Sequence, residues 1–320
     1  MLGKWIHFLK GAVDYVRKSG GLRPPDLFVV HRGGFGDSVL LSVLLRELHA
    51  RGRSFAVVCP HRDFFEGLPY GGAYLDPGFP VEGAGRLLRV PVYSLKYVKP
   101  LPPAGRAEQP PRQHILAEMC AQAGLQGEIT LKPEFALTPQ DREFAADYRG
   151  VVVVQSTCLT AKFSMWTKDW GAAKMQQVVD SLKTSQRIVQ IGSVVDTPLA
   201  GAEDRRGLPI RHAAAILSEA GVFLGLVGFL MHLARAVNTP SVIVYGGREK
   251  PWQSGYPAFT NLVAEIPCSP CWRYDDCTGG KQCMEMITPQ MVVDSALAIL
   301  GRQRREEMPV ERVTLGPKAF

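Results

Sequence analysis

Apolar residues in this chain gather in short continuous runs separated by glycine-rich turns, with longer helical stretches between them. That alternation predicts strands buried on both faces of a parallel α/β sheet. Asp26 to Arg32 (DLFVVHR) predicts the first strand, and Gly33, Gly34 and Gly36 follow it. Ser38 to Ala50 (SVLLSVLLRELHA) predicts a helix apolar almost all round, and therefore buried. Phe55 to Cys59 predicts the next strand. Gly67 to Pro111, rich in glycine and proline, predicts no clear element, whereas Arg112 to Ala123 predicts a helix. Thr138 to Arg149 is polar and reads as a linker holding a short helix.

A second series opens with a strand at Val151 to Val154 (VVVV). Further strands are predicted over Ile188 to Ile191, Val222 to Leu224 and Ser241 to Tyr245. Helices are predicted over Ala172 to Leu182, Arg211 to Glu219 and Leu230 to Val237, the last stopped by Asn238, Thr239 and Pro240. Thr288 to Leu300 predicts a final helix, with Thr288 as N-cap and Pro289 at its first position. Two successive series predict two Rossmann-like domains, residues 22–145 and 150–300, facing a central cleft. Residues 1–21 mix Trp5, Ile6, Phe8 and Leu9 with Lys4, Lys10, Arg17 and Lys18. They predict a basic amphipathic helix, either docked on its own domain or resting on an anionic membrane surface. Residues 301–320 predict a loose, charged tail. In such sheets ligands bind where strands turn into helices at their carboxyl ends. Chemistry is therefore expected in the turns Gly33–Asp37, Gln155–Lys168, Gly192–Ser193, Gly225–Leu230 and Gly246–Glu249.

Charge narrows the partners. A net charge of +7 over 320 residues suits nucleotides, phosphorylated glycolipids or an anionic membrane. No aromatic-and-basic signature of a nucleic-acid module accompanies it, so no nucleic-acid partner is expected. No apolar stretch reaches the roughly 20 residues that span a bilayer, and no cleavable leader pattern opens the chain. A cytoplasmic location is expected, with peripheral contact at the inner face of the membrane as its variant.

Four constellations carry candidate chemistry. In HRGGFGDSVLL, Gly33, Gly34 and Gly36 let the backbone turn tightly, and Asp37 stands at the start of a buried helix. Asp37 is either an ordinary helix cap or a carboxylate able to take a proton from an alcohol. In GLVGFLMHLARAVNTP, Gly225 and Gly228 leave room for a phosphate at a helix N-terminus, and His232 lies in the first helical turn as a packed histidine or a ligand contact. Lys168, flanked by Trp166 and Trp170, is either a surface lysine or a grip for a diphosphate. Cys268, Cys271, Cys277 and Cys283 place four soft ligands within 16 residues. They suit one structural zinc or iron with no open position, the alternatives being unliganded thiols or two disulfides.

Taken in order, GGFGDSVLLSVLLREL, the Lys168-x-Trp170 pair, MHLARAVNTPSVIVYGG and PCSPCW resemble segments of glycosyltransferase family 9, the lipopolysaccharide heptosyltransferases and their relatives. The resemblance runs from about residue 27 to 300. It implies the GT-B fold, with acceptor bound by the N-terminal domain and nucleotide sugar by the C-terminal one. It also implies inversion at the anomeric carbon without a catalytic metal. Carried over, Asp37 is the general base and Lys168 holds the donor diphosphate. Gly192, Gly225, Gly228, His232 and Thr157 line the donor pocket, and Gly33, Gly34 and Gly36 form the acceptor-side loop. The expected donor is ADP-heptose-like or another nucleoside diphosphate sugar, and the acceptor a glycolipid, glycan or protein. One departure stands out. Where the family often carries an acidic residue, then Ser or Thr, then Gly, this chain has Val227, Gly228 and Phe229. That departure keeps two other readings open: a catalytically silent nucleotide-sugar or glycan binder, and a nucleotide-sugar epimerase on the same architecture.

Overall fold

A computed structural model describes residue 15 and residues 23–70, 72–101, 107–158, 166–277, 279–302 and 308–316, with backbone alone at 99–101. The expected helix over 1–21 lies outside the described residues except for Tyr15, which is buried against Phe28 with ring centroids 5.9 Å apart.

The strands are β1 Leu27–Val30, β2 Phe55–Val58, β3 Ala73–Leu75, β4 Val92–Ser94, β5 Lys99–Leu101, β6 Ala107–Gln109 and β7 Gly127–Thr130. In the second half they are β8 Val152–Val154, β9 Ile188–Gln190, β10 Glu203–Asp204, β11 Val222–Leu226, β12 Ser241–Gly246, β13 Thr260–Val263 and β14 Arg312–Leu315. The helices are α1 Phe35–Ala50, α2 Val81–Leu88, α3 Ile115–Gln122, α4 Pro139–Ala145, α5 Ala172–Leu182, α6 Ile210–Glu219, α7 Phe229–Ala236, α8 Pro251–Ser254, α9 Gln282–Glu285 and α10 Pro289–Leu300. No helix among the described residues is long and apolar enough to cross a membrane.

A four-stranded sheet runs β3-β2-β1-β4 and a six-stranded sheet β10-β9-β8-β11-β12-β13, with every pairing in both parallel. Counted within each half, the orders are 3-2-1-4 and 3-2-1-4-5-6, the doubly wound Rossmann arrangement. Strand order reverses between β1 and β4 and between β8 and β11. A crevice opens at such a reversal, outside the carboxyl ends of the strands. The α1 helix is buried along nearly its whole length, as its apolar sequence predicts. It packs against α7, and one continuous apolar cluster includes Leu41 and Leu44 of α1 with Met231 and Leu233 of α7.

Several boundaries differ from the sequence reading. The α1 helix begins at Phe35, so Asp37 lies inside its first turn with Gly34 as N-cap. The unassigned Gly67–Pro111 stretch supplies β3, α2, β4, β5 and β6. The Thr138–Arg149 linker is structured. Thr138 and Asp141 form a capping box at α4, and Asp141 pairs with Arg211 of α6 at 2.5 Å. The tail is not loose throughout: Arg312–Leu315 pair antiparallel with β7, with Leu315 buried. Alternating exposed and covered residues in RVTL drive that pairing.

Candidate active site

Beyond β1 the chain turns through His31 and Gly33 into α1. Asp37 is half-buried in the first turn, where free backbone N–H groups and the helix dipole favour negative charge. Its Oδ1 accepts a 2.7 Å hydrogen bond from the Tyr97 hydroxyl, which arrives from the segment after β4. Its Oδ2 lies against Gly33, where any side chain would collide with it. His31 braces the turn. Its Nδ1 accepts from Gly33 N–H at 3.3 Å, which leaves Nε2 to donate to Ser38 Oγ at 2.8 Å. Burial lowers the His31 pKa, with the Asp37 charge acting against that shift.

Lys168 closes a short turn, Trp166–Lys168, and its ammonium pairs with buried Glu249. Arg248 donates to Glu249 at 2.5 Å and to Glu108, from the β6 strand of the other half, at 2.9 Å. Its guanidinium stacks over Trp272 at 4.8 Å from the ring centre. Burial raises the Glu249 pKa, but Lys168 and Arg248 more than offset it and bring it down to about 2. The Tyr97 phenol is pushed well above its ordinary value, first by burial, then by Asp37, Glu108 and Glu249. Tyr97 therefore lies within electrostatic reach of Asp37, Glu108 and Glu249.

His232, in the first turn of α7, is buried with Nδ1 2.7 Å from the Tyr256 hydroxyl. Burial, then His114, then Lys168 lower its pKa to about 3, so the ring is neutral near pH 7. Thr157 and Gly192 meet at the ends of β8 and β9 through Asp196. Its carboxylate accepts from Thr157 Oγ1 at 2.8 Å and from Ser193 N–H at 2.8 Å, and Gly192 takes φ 139° beside it. Gly228 precedes α7 with open space beside its Cα. Gly225 behaves differently from the expectation. It lies inside β11, and the Phe223 ring fills the space a Cβ would need. Val227 is buried, and Phe229 packs against Phe35.

The structure thus gathers Asp37, Gly33 and Gly36 at one strand reversal, and Thr157, Gly228 and His232 at the other. Sequence reasoning missed Tyr97, Glu108, Arg248 and Glu249. Arg248 and Glu249 fall in a turn already marked for chemistry, and their adjacent opposite charges after a strand were the available signal.

All seven cysteines are free thiols. Cys271 senses the charges of Cys268 and Cys277, and Cys283 those of Cys271 and Cys277, so the four share one locality. Among the described residues, however, no three metal-ligating side chains stand in position to hold an ion. Backbone N–H groups already point at the sulfurs: Lys281 N–H at Cys277 (3.4 Å), Arg273 N–H at Cys271, and Gly247 and Met284 N–H at Cys283. The same loop grips the lysine turn, since Thr167 Oγ1 donates to the Arg273 carbonyl at 2.6 Å.

No protein-family model matches the chain, and no curated protein sequence matches it. Solved structures do. The iron-containing dodecameric glycosyltransferase TibC of enterotoxigenic E. coli H10407 is 17% identical, with 86% of this chain and 76% of that one covered and a TM-score of 0.63. The E. coli ADP-heptose lipopolysaccharide heptosyltransferase II is 16% identical, covering 86% and 98%, with a TM-score of 0.60. A glycosyltransferase family 9 protein of Veillonella parvula is 11% identical, covering 86% and 97%, also with a TM-score of 0.60. The chain has the GT-B fold in its heptosyltransferase-like form.

Proposed function

We propose that this chain is an inverting glycosyltransferase that moves a sugar from a nucleoside diphosphate donor to a hydroxyl of a cell-envelope glycan. The observation that carries the reading is the arrangement around Tyr97. Asp37, at one strand reversal, accepts from Tyr97, and Tyr97 in turn lies within electrostatic reach of Glu249, the ion-pair partner of Lys168 and Arg248. In the reaction the acceptor hydroxyl gives its proton to Asp37 Oδ2 as its oxygen forms a bond to the anomeric carbon. The bond from that carbon to the diphosphate oxygen breaks on the opposite face, which inverts the centre. The diphosphate leaves with the bonding pair. Lys168, held by Glu249 but carrying three N–H donors, and the N-terminus of α7 offset its charge. Thr157, Gly192, Gly228 and His232 border the donor.

ADP-heptose is the first donor to test, because a fold relative is described in complex with ADP-D-β-D-heptose. A thermal-shift panel of ADP, UDP, GDP and their sugars tests the reading, since a ligand that binds only the folded chain raises its apparent stability. A shift with one nucleotide, followed by release of that nucleotide only when an acceptor is present, is expected. No shift with any of them overturns it. The second reading, a silent binder, is favoured by Val227 and Phe229, which offer the donor no polar side chain. It predicts a shift without product.

The four-cysteine loop is proposed to hold one structural zinc or iron. The donor set fits in chemistry, because four soft sulfur ligands suit zinc or iron, although burial raises the Cys271 and Cys283 thiols and the N–H groups directed at their sulfurs only act against that rise. When bound, the ion would tie Cys268, Cys271, Cys277 and Cys283 together and stabilise the loop that grips Thr167.

A further inference from the structure

We infer that Tyr97 is a positioning residue for the Asp37 carboxylate, fixing which oxygen meets the acceptor. The inference rests on the proposed role of Asp37 as base and extends it to a residue sixty positions away. The two oxygens of Asp37 have different surroundings. Oδ1 takes the Tyr97 hydrogen bond at 2.7 Å. Oδ2 sits over the bare Cα of Gly33. With a tyrosine on one side and a glycine on the other, the carboxylate has one orientation and one oxygen left to accept a proton.

The placement of Tyr97 comes from the sheet. β4 pairs with β1 in register Phe28 to Val92 through Val30 to Ser94, so the segment leaving β4 runs beside the turn leaving β1. The Leu95 N–H donates to the Val30 carbonyl at 2.9 Å and locks that neighbourhood. The Tyr97 hydroxyl then reaches Asp37 from a half-buried position with Glu108 and Glu249 close by. Among these three carboxylates Asp37 takes the phenol proton as hydrogen-bond acceptor, and burial with three carboxylates nearby keeps that phenol protonated. A donor that cannot ionise at working pH holds a base without competing for the acceptor's proton.

Tyr97→Phe keeps the ring and removes only the hydroxyl. Infrared difference spectra between each protein and its Asp37→Asn counterpart isolate the Asp37 carboxylate bands without any substrate. Losing the donor frees Oδ1, so the frequency and splitting of the carboxylate stretching bands should change in Tyr97→Phe. In transfer assays with the donor found for the wild-type chain, kcat should fall about ten-fold or more with the donor KM unchanged. Gly33→Ala, whose methyl collides with Oδ2, should also lower kcat. Unmoved carboxylate bands in folded Tyr97→Phe overturn the inference. Full turnover by Asp37→Asn instead overturns the role of Asp37 as base while leaving the infrared result readable.

Discussion

Phe35 and Phe229, the first residues of α1 and α7, pack with ring centroids 5.5 Å apart and their planes tilted by 49°. Each belongs to a helix that follows a strand at the reversal of its own sheet, β1 in one and β11 in the other. The contact brings two helix N-termini together, and each such terminus carries about half a positive charge. Phe64 packs 5.9 Å from both rings and Phe35 stays 45% exposed, so the contact is built on one side and open on the other. Asp37, two residues into the helix from Phe35, is thereby set at the rim between the halves.

Lys168→Met tests the Lys168–Glu249–Arg248 ion-pair group. It leaves Glu249 buried with Arg248 as its remaining partner. Urea denaturation should show a loss of about 2 kcal/mol, because breaking a buried pair leaves an undercompensated charge. Calorimetric affinity for the nucleotide that binds the wild-type chain should fall about ten-fold or more. Unchanged affinity would take Lys168 off the donor side.

The buried histidines set an acid limit. Burial lowers His114 to about 4 and His232 to about 3, well below the unfolded value near 6.5. Between those values the unfolded chain binds more protons than the folded one, so stability falls as pH drops below about 6.5. Each histidine should forfeit on the order of 2 kcal/mol by pH 5. Glu249, held near 2 against about 4.5 unfolded, adds stability that is lost only below about pH 4.5. Denaturant midpoints at pH 7, 6 and 5 check the order. His232→Gln should flatten the pH 6 to 5 step, and an unchanged step would assign it elsewhere.

Gly225→Ala separates packing from binding. The added methyl enters the space of the Phe223 ring, and overpacking of this kind costs about 1–3 kcal/mol. Nucleotide affinity of the folded protein should stay within about two-fold, since only a ligand contact would lower it. A selective loss of affinity would return Gly225 to the donor pocket.

These positions show what one sequence can carry. Asp37 was legible because a glycine turn between a buried strand and an apolar helix is a local pattern. Gly225 reads as a turn glycine for the same reason, whereas it lies inside β11 with the Phe223 ring where a Cβ would stand, a placement that depends on side-chain direction. Tyr97 and Glu108 lay in a stretch with no periodicity, and their place beside Asp37 and Arg248 comes from strand pairing across long separations. The four residues of β14 were outweighed by the charge of the tail around them. The four cysteines were visible as a set, whereas the way their loop grips Thr167 was not.

The most direct measurement is transfer by Asp37→Asn. With donor and acceptor established for the wild-type chain, the variant should lose about a thousand-fold or more in kcat while holding the nucleotide within a few-fold of normal affinity. Wild-type turnover by that variant would contradict the account.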